Sequence, residues 1–132
     1  QKSDLESLLQ KSHVISLHCN LTPETRHLIN REAFRLMGQC PVVINTSRGP
    51  VIDADALIEA ADASQIHSAG IDVYENEPAD HRQEALVSHP RIITTGHYAW
   101  YSDRSIRIMQ KRAADNLAAM LKGEMIEDCL NP

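Results

Sequence analysis

Long hydrophobic runs are missing from this chain. None approaches the roughly 20 apolar residues that cross a bilayer, so neither a spanning segment nor a membrane partner is expected. Positive charge is in deficit as well. Against 18 Asp and Glu stand 13 Lys and Arg, a formal net charge of −5, which leaves no basic patch for phosphate backbones and disfavours direct nucleic-acid binding. The three cysteines, Cys19, Cys40 and Cys129, are odd in number and contain no C-x-x-C pair, which argues against a disulfide framework and against a zinc site. No metal is expected, and a reducing cytoplasm is the expected setting. The first residue is Gln1 rather than Met, and no signal peptide precedes the first helical pattern, so a piece of a longer chain is expected. Repeats, low-complexity tracts and linkers are absent too. What is present is an ordinary globular composition, 42% apolar and 23% charged over 132 residues, long enough for one domain with an enclosed core.

Amphipathic helices alternate with short apolar strands. Ser3-Asp4-Leu5-Glu6 is a capping-box pattern with Leu5, Leu8 and Leu9 behind it on one helical face. Val14–Leu17 reads as a buried strand, and Thr22-Pro23 as an N-cap with proline in the first turn. A helix from Asn30 would turn Ala33, Phe34 and Met37 inward. The next strand is 41–45, followed by a helix capped by Asp53 with Leu57, Ile58 and Ala61 on one side. The third and fourth strands are 69–73 and 91–95, and the connection from Tyr74 to Pro90 reads as a loop with one turn of helix at most. Ser102 or Asp103 caps the longest helix, in which Ile106, Met109, Ala113, Leu117, Met120 and Leu121 recur at helical steps until Gly123 stops it. The width of that apolar face predicts packing rather than a partner surface. Wholly apolar strands separated by helices predict an α/β fold, a parallel sheet of about four strands with helices on both faces.

Ligands of open parallel sheets bind beyond the carboxyl ends of the strands. Those ends carry His18-Cys19-Asn20-Leu21-Thr22, Asn45-Thr46-Ser47-Arg48-Gly49, Asp72 with Glu75 and Glu77, and Gly96-His97-Tyr98-Ala99-Trp100. Arg48, Glu77 and His97 form an acid–base set. A carboxylate beside a histidine favours imidazolium, which can give a proton to a carbonyl oxygen and take it back. Arginine grips a carboxylate with a rigid fork. Together they suit reduction of an α-keto acid, with a nicotinamide cofactor as the hydride donor that side chains cannot replace.

Taken singly, Arg48 reads as a solvated strand-end arginine, His97 as a structural histidine and Glu77 as a surface residue. Asp72 is different, because an aspartate inside an apolar strand costs free energy unless it is paired. His13, His27, His67, His81 and His89 show no ligand spacing and are expected in solvent. Cys19 and His18 point to opposite strand faces, so no Cys–His nucleophile is expected there. Tyr98, Trp100 and Tyr101 gather three of the five aromatics, as a hydrophobic anchor or as one wall of a pocket.

The segments H-C-N-L-T-P-E-T-R-H-L-I-N, V-V-I-N-T-S-R-G-P-V-I-D, G-I-D-V-Y-E-N-E-P and G-H-Y-A-W-Y-S resemble the C-terminal part of the D-isomer-specific 2-hydroxyacid dehydrogenases. The likeness runs from about Leu5 to the end. It implies that Arg48 binds and polarises a 2-keto acid, His97 carries the proton, and Glu77 holds and charges that histidine. Asp72 would hydrogen-bond the nicotinamide carboxamide. His18, Cys19, Asn20, Thr22 and Thr25, with Thr46, Ser47 and Arg48, would line the cofactor site, together with His97 and Ala99. Trp100 would close the substrate pocket or meet a neighbouring subunit. The implied cofactor is NAD or NADP, the implied partners a small 2-keto or 2-hydroxy acid and a second copy in a homodimer. The A-W-Y-S variant is similar to the branch that includes the C-terminal-binding-protein corepressors, so an NAD(H)-sensing corepressor or scaffold is the alternative.

The sequence departs from that family at Asn20 and Gly96, where proline is usual, each change loosening a loop. It also has no G-x-G-x-x-G and no ribose-holding acidic residue after a following strand. Residues 1–132 therefore read as the second half of a Rossmann-like doubly wound domain, with the last helix and tail (about 103–132) leading back to an absent substrate domain. Alone, such a piece is expected to be inactive. An exposed sheet edge and unmatched apolar helix faces would favour self-association.

Overall fold

A computed structural model describes residues 2–78 and 83–126. His81 and Cys129 lie outside the described residues. The chain forms two compact units, Gln1–Ala99 and Trp100–Pro132.

In the first unit four short strands, β1 (Val14–Leu17), β2 (Val42–Asn45), β3 (Ser68–Ile71) and β4 (Ile92–Thr94), pair in the order β1-β2-β3-β4. Every pairing is parallel. The register aligns Ile15, Val43, Ala69 and Ile92 in one cross-strand row and Leu17, Asn45, Ile71 and Thr94 in another. The first row is wholly buried, and in the second all but the half-buried Thr94 are buried. Helices α1 (Leu5–Lys11), α2 (Arg31–Arg35), α3 (Ala54–Asp62) and α4 (Glu84–Ser88) touch one another in sequence as a single layer. Right-handed crossovers that step always to the next strand put every helix on one side. The α/β class and the parallel sheet are as expected, but this unit supplies helices to only one face. On the other face Val14 and Ile93 are exposed and Ile44 and Gly70 half-buried.

The helices begin where polar side chains satisfy free backbone N–H groups. Asp4 accepts from Ser7 N–H at 2.8 Å, Asn30 from Ala33 N–H at 3.0 Å and Asp53 from Ala56 N–H at 3.1 Å. The first cap is thus Asp4, one residue after the expected Ser3, and of the leucine face only Leu9 is buried. Thr22-Pro23 starts a turn instead of a helix. His27, with φ 50°, ends it, and its N–H donates to Pro50 O at 2.8 Å. The segment is drawn onto the following 3-10 turn (Gly49–Val51) before a second helical turn can form. Phe34, the one phenylalanine, is 1% exposed between the helices and the sheet.

The second unit is described over Trp100–Ile126 and contains α5 (Asp103–Lys122). Ser102 and Ser105 form a reciprocal capping box, and Gly123 closes the helix with φ 71°. The expected packing face is uncovered, since α5 buries none of its residues. No helix among the described residues is long and apolar enough to cross a membrane.

Candidate active site

Parallel pairing brings the carboxyl ends of all four strands to one edge, and the ionisable residues follow those ends. Asn45 occupies a core row of the sheet and is 1% exposed. Its amide shapes the next turn: Oδ1 accepts from Ser47 N–H at 3.0 Å and from Ser47 Oγ–H at 2.9 Å, while Nδ2 donates to Arg48 O at 3.0 Å. Arg48 is thereby set on a rigid turn. Its guanidinium is exposed, and Nη1 donates to Ser47 O at 2.7 Å. Sequence reasoning gave Asn45 no role, although a polar residue closing an apolar strand was the available signal.

His97 and Glu77 meet directly. Nδ1 of His97 lies 2.8 Å from Glu77 Oε2, and Tyr74 N–H donates to the other oxygen at 3.0 Å. An ionised carboxylate only accepts, so Nδ1 carries the proton and Nε2 is left for a ligand. Burial by itself would raise the Glu77 carboxyl. The Tyr74 N–H, the His97 hydrogen bond and charge, and the Arg48 charge outweigh it and hold Glu77 below the ordinary carboxylate range. His97 sits at φ 62°, a left-handed backbone that costs an L-residue about 1–2 kcal/mol and persists where surrounding contacts enforce it.

Those contacts come from Asp72. It lies one residue beyond β3 rather than inside the strand, and is 4% exposed. Its carboxylate accepts from Thr95 Oγ–H, from Tyr98 N–H at 2.8 Å and from Ala99 N–H at 2.9 Å. These bonds fasten the loop on both sides of His97. Desolvation pushes the Asp72 carboxyl up, but the three hydrogen bonds and the His97 charge hold it below its ordinary value. Three of about four acceptor positions are used, which leaves one on Oδ2. Gly96 gives the same loop room, since a Cβ there would come within 2.8 Å of the Tyr98 ring. The ring takes the space that the family's usual proline would fill.

Two clefts open on this edge. One, of about 400 Å³, is lined by His18, Cys19, Asn20, Leu21, Thr46, Ser47 and Arg48. The other, of about 320 Å³, is largely apolar, with Ile44, Gly70, Ile71 and Ile93 beside Asp72, Thr95, Tyr98 and Ala99, and shares Thr46 with the first. A third hollow lies against Glu77 and His97. Thr22 and Thr25 line none of these. Thr25 Oγ–H donates to Asn20 O at 2.7 Å, and Thr22 N–H donates to Thr25 Oγ at 2.7 Å, so the pair braces the Asn20 loop from behind. Trp100 belongs to the second unit, where its ring meets that of Tyr101 edge-on with centroids 5.4 Å apart. Among the described residues no group of three His, Cys, Asp or Glu could hold a metal ion.

Among the described residues, two of the histidines expected in solvent face a carboxylate, and a third, His67, has Nδ1 3.2 Å from Ser68 Oγ. His27 Nε2 lies 2.7 Å from Glu75 Oε1. The His89 side chain is 8% exposed, with Nε2 at 3.2 Å from Asp62 Oδ1 and Nδ1 accepting from Arg91 N–H at 3.1 Å. Ion-pair partners far apart in sequence gave no local signal for either. Cys19 and Cys40 are free thiols.

A parallel sheet whose carboxyl edge joins a polar cleft to an apolar one, beside a hydrogen-bonded His–Glu pair and an exposed arginine, is the architecture of a nucleotide-binding dehydrogenase domain. Residues 1–99 match the family described as "D-isomer specific 2-hydroxyacid dehydrogenase, NAD binding domain", and the chain belongs to that family. It is 42% identical over 123 residues to a glyoxylate reductase of Thermofilum pendens, covering 93% of this chain and 36% of that protein. It is 38% identical over 132 residues to a glyoxylate/hydroxypyruvate reductase B of Serratia proteamaculans, covering all of this chain and 40% of that one. The apo D-lactate dehydrogenase of Escherichia coli superposes with a TM-score of 0.85 at 40% identity, over 98% of this chain and 40% of that one. The D-lactate dehydrogenase with NAD+ from Lactobacillus jensenii gives 0.88 at 28% identity, over 98% and 43%. This chain thus spans about two fifths of the length of these relatives.

Proposed function

We propose that this chain forms the catalytic edge of an NAD(P)-dependent enzyme that reduces small 2-keto acids, such as glyoxylate, hydroxypyruvate or pyruvate, to D-2-hydroxy acids. The observation that carries the reading is the His97–Glu77 pair at 2.8 Å with the Arg48 charge acting on the same carboxylate. Arg48 binds the substrate carboxylate with its fork and draws electron density from the adjacent carbonyl. His97, as imidazolium, donates its Nε2 proton to the carbonyl oxygen as that oxygen gains negative charge. Glu77 fixes the ring and stabilises the charged form. In the reverse direction neutral Nε2 takes the proton from the hydroxyl.

Bound at this edge, a nicotinamide cofactor would supply the hydride chemistry that no side chain provides. The cleft lined by His18, Asn20, Thr46 and Ser47 suits ribose hydroxyls, and the apolar cleft suits a flat ring. The remaining acceptor position of Asp72 suits a carboxamide N–H. A homodimer belongs to the same reading, supported by the exposed Met109, Leu117, Met120 and Leu121 of α5. So does a reducing cytoplasm, in keeping with two free thiols.

The test is His97→Asn in the complete polypeptide that carries this chain. Keto-acid reduction should fall about 10²–10⁴-fold while NADH affinity stays within about twofold. Retained turnover, or equal loss of turnover and NADH binding, would overturn the assignment.

A further inference from the structure

The 74–77 loop carries two carboxylates, and each meets a histidine from another segment. Glu77 faces His97; Glu75 Oε1 lies 2.7 Å from His27 Nε2, with Arg26 Nη2 at 3.8 Å. The acid–base chemistry above makes no use of the second pair. We propose that Glu75 is a positioning residue: its hydrogen bond with His27 holds the 74–77 loop where Glu77 can orient the His97 imidazole. The proposal rests on the reading of His97 as the proton carrier.

Of the 74–77 loop, Tyr74 packs against the hydrophobic core. Tyr74 is half-buried, while Glu75, Asn76 and Glu77 are exposed, so the place of Glu77 depends on ties from other loops. His27 is a firm anchor for such a tie. Its own N–H donates to Pro50 O, the Ile29 N–H donates to Val51 O at 3.1 Å, and the Asp53 N–H donates to Ile29 O at 3.0 Å. Ile29, Val51 and Ile52 are buried, at 0%, 0% and 3% exposure. From the other side the Gly49 backbone lies directly on the Tyr74–Glu75 peptide, where a Cβ would come within 2.0 Å of Tyr74 C. The loop is therefore held between the Arg48 turn and the His27 ring, and the Tyr74 N–H passes that placement to Glu77. Arg26 adds little direction, since 3.8 Å is beyond hydrogen-bond range and its side chain is 56% exposed.

Long-range ¹H–¹⁵N spectra of this chain, recorded at a pH where the same spectra show the His97 ring deprotonated, read its tautomer without any turnover. The wild type should hold the Nδ1–H tautomer, and Glu77→Ala should lose it. Glu75→Ala should lower the Nδ1–H population about twofold or more, toward the Glu77→Ala value. His27→Leu should do the same by removing the partner. Glu75→Gln, which still accepts from His27, should stay near wild type. Folded Glu75→Ala or His27→Leu protein with the wild-type tautomer ratio would overturn the proposal. Unfolding of both would overturn it too, since the pair would then hold the fold rather than the loop. If His97→Asn retained keto-acid reduction, the enzymatic reading would fail while the tautomer ratios still reported on the loop, so the two failures are distinguishable.

Discussion

Replacing Gly49 by alanine tests the joint between the loops that carry Arg48 and Glu77. An ideal Cβ at this position stands 2.0 Å from Tyr74 C, 2.1 Å from Tyr74 O and 2.5 Å from Glu75 N. Non-bonded carbons rest about 3.5 Å apart, so about 1.5 Å of separation has to be found. No flexible side chain can give way, because both sides are backbone. Gly49 is tied through Ile52 N–H to Gly49 O at 3.1 Å, and Tyr74 through its hydroxyl to Thr95 O at 2.8 Å and its N–H to Glu77 at 3.0 Å. Overpacking of this kind costs about 1–3 kcal/mol, and backbone on backbone belongs at the upper end. Urea unfolding of the chain followed by circular dichroism should show a lower midpoint with an unchanged slope. In the complete polypeptide, moving Glu77 and Arg48 apart by about 1 Å should cost about 100-fold in turnover. Gly70→Ala is the control: nothing lies within 4 Å of its Cβ, so the change should stay within about 0.5 kcal/mol. A Gly49→Ala protein equally close to wild type would refute the backbone-contact argument.

Phe34→Ala should destabilise the chain by about 3–5 kcal/mol in the same urea assay, because the ring is 1% exposed and its removal leaves a cavity in the core. Asp72→Ala should cost about 1–3 kcal/mol at neutral pH, since three donors lose their acceptor. The folded-state pKa of Asp72 is lowered, so its ionised form adds stability in full above the ordinary aspartate range near pH 4, and that part is lost as pH falls through the lowered value. The gap between wild type and Asp72→Ala should narrow in acid; a gap constant down to about pH 2 would contradict the assigned hydrogen bonds. The chain contains no G-x-G-x-x-G phosphate cradle, so calorimetric titration with NADH should give a Kd weaker than micromolar. Micromolar binding would show that the two clefts suffice without it.

Strand positions, the caps Asn30, Asp53 and Ser102, and the Gly123 stop were readable because each depends on residues a few positions apart. The gathering of Arg48, Glu77 and His97 on one edge was readable for a related reason: in a parallel sheet whatever follows a strand goes to one edge, so sequence adjacency to an apolar run becomes spatial convergence. Thr22 illustrates the opposite case. Its local signal for a helix is sound, but a hydrogen bond from His27 N–H to Pro50 O, 23 residues away, prevails. The exposure of Ile93 was hidden because an apolar strand residue reads as core whichever way it points. Asp72 was noticed as anomalous for the right physical reason, burial of a charge, but its partners Thr95, Tyr98 and Ala99 follow another strand.

Those long-range ties decide how the site works. None of the loops that carry Arg48, Glu77 and His97 is held mainly by core packing; each is fastened to another loop of the same edge. Asn45 builds the Arg48 turn, Gly49 seats it on Tyr74, Tyr74 binds Glu77, and Asp72 grips both flanks of His97. A proton carrier must stay within hydrogen-bond reach of the substrate oxygen through the reaction, and exposed side chains pay about 1 kcal/mol or more in entropy when fixed one at a time. Fixing backbones against each other fixes the side chains collectively, before substrate arrives. Two carboxylates held below their ordinary range also surround His97 with negative charge that is in place at neutral pH. The same edge that excludes a Cβ at residue 49 therefore preorganises the field in which the imidazolium forms. Mutations at Gly49 and Asp72, neither of which need touch the keto acid, should accordingly lower turnover more than they weaken substrate binding.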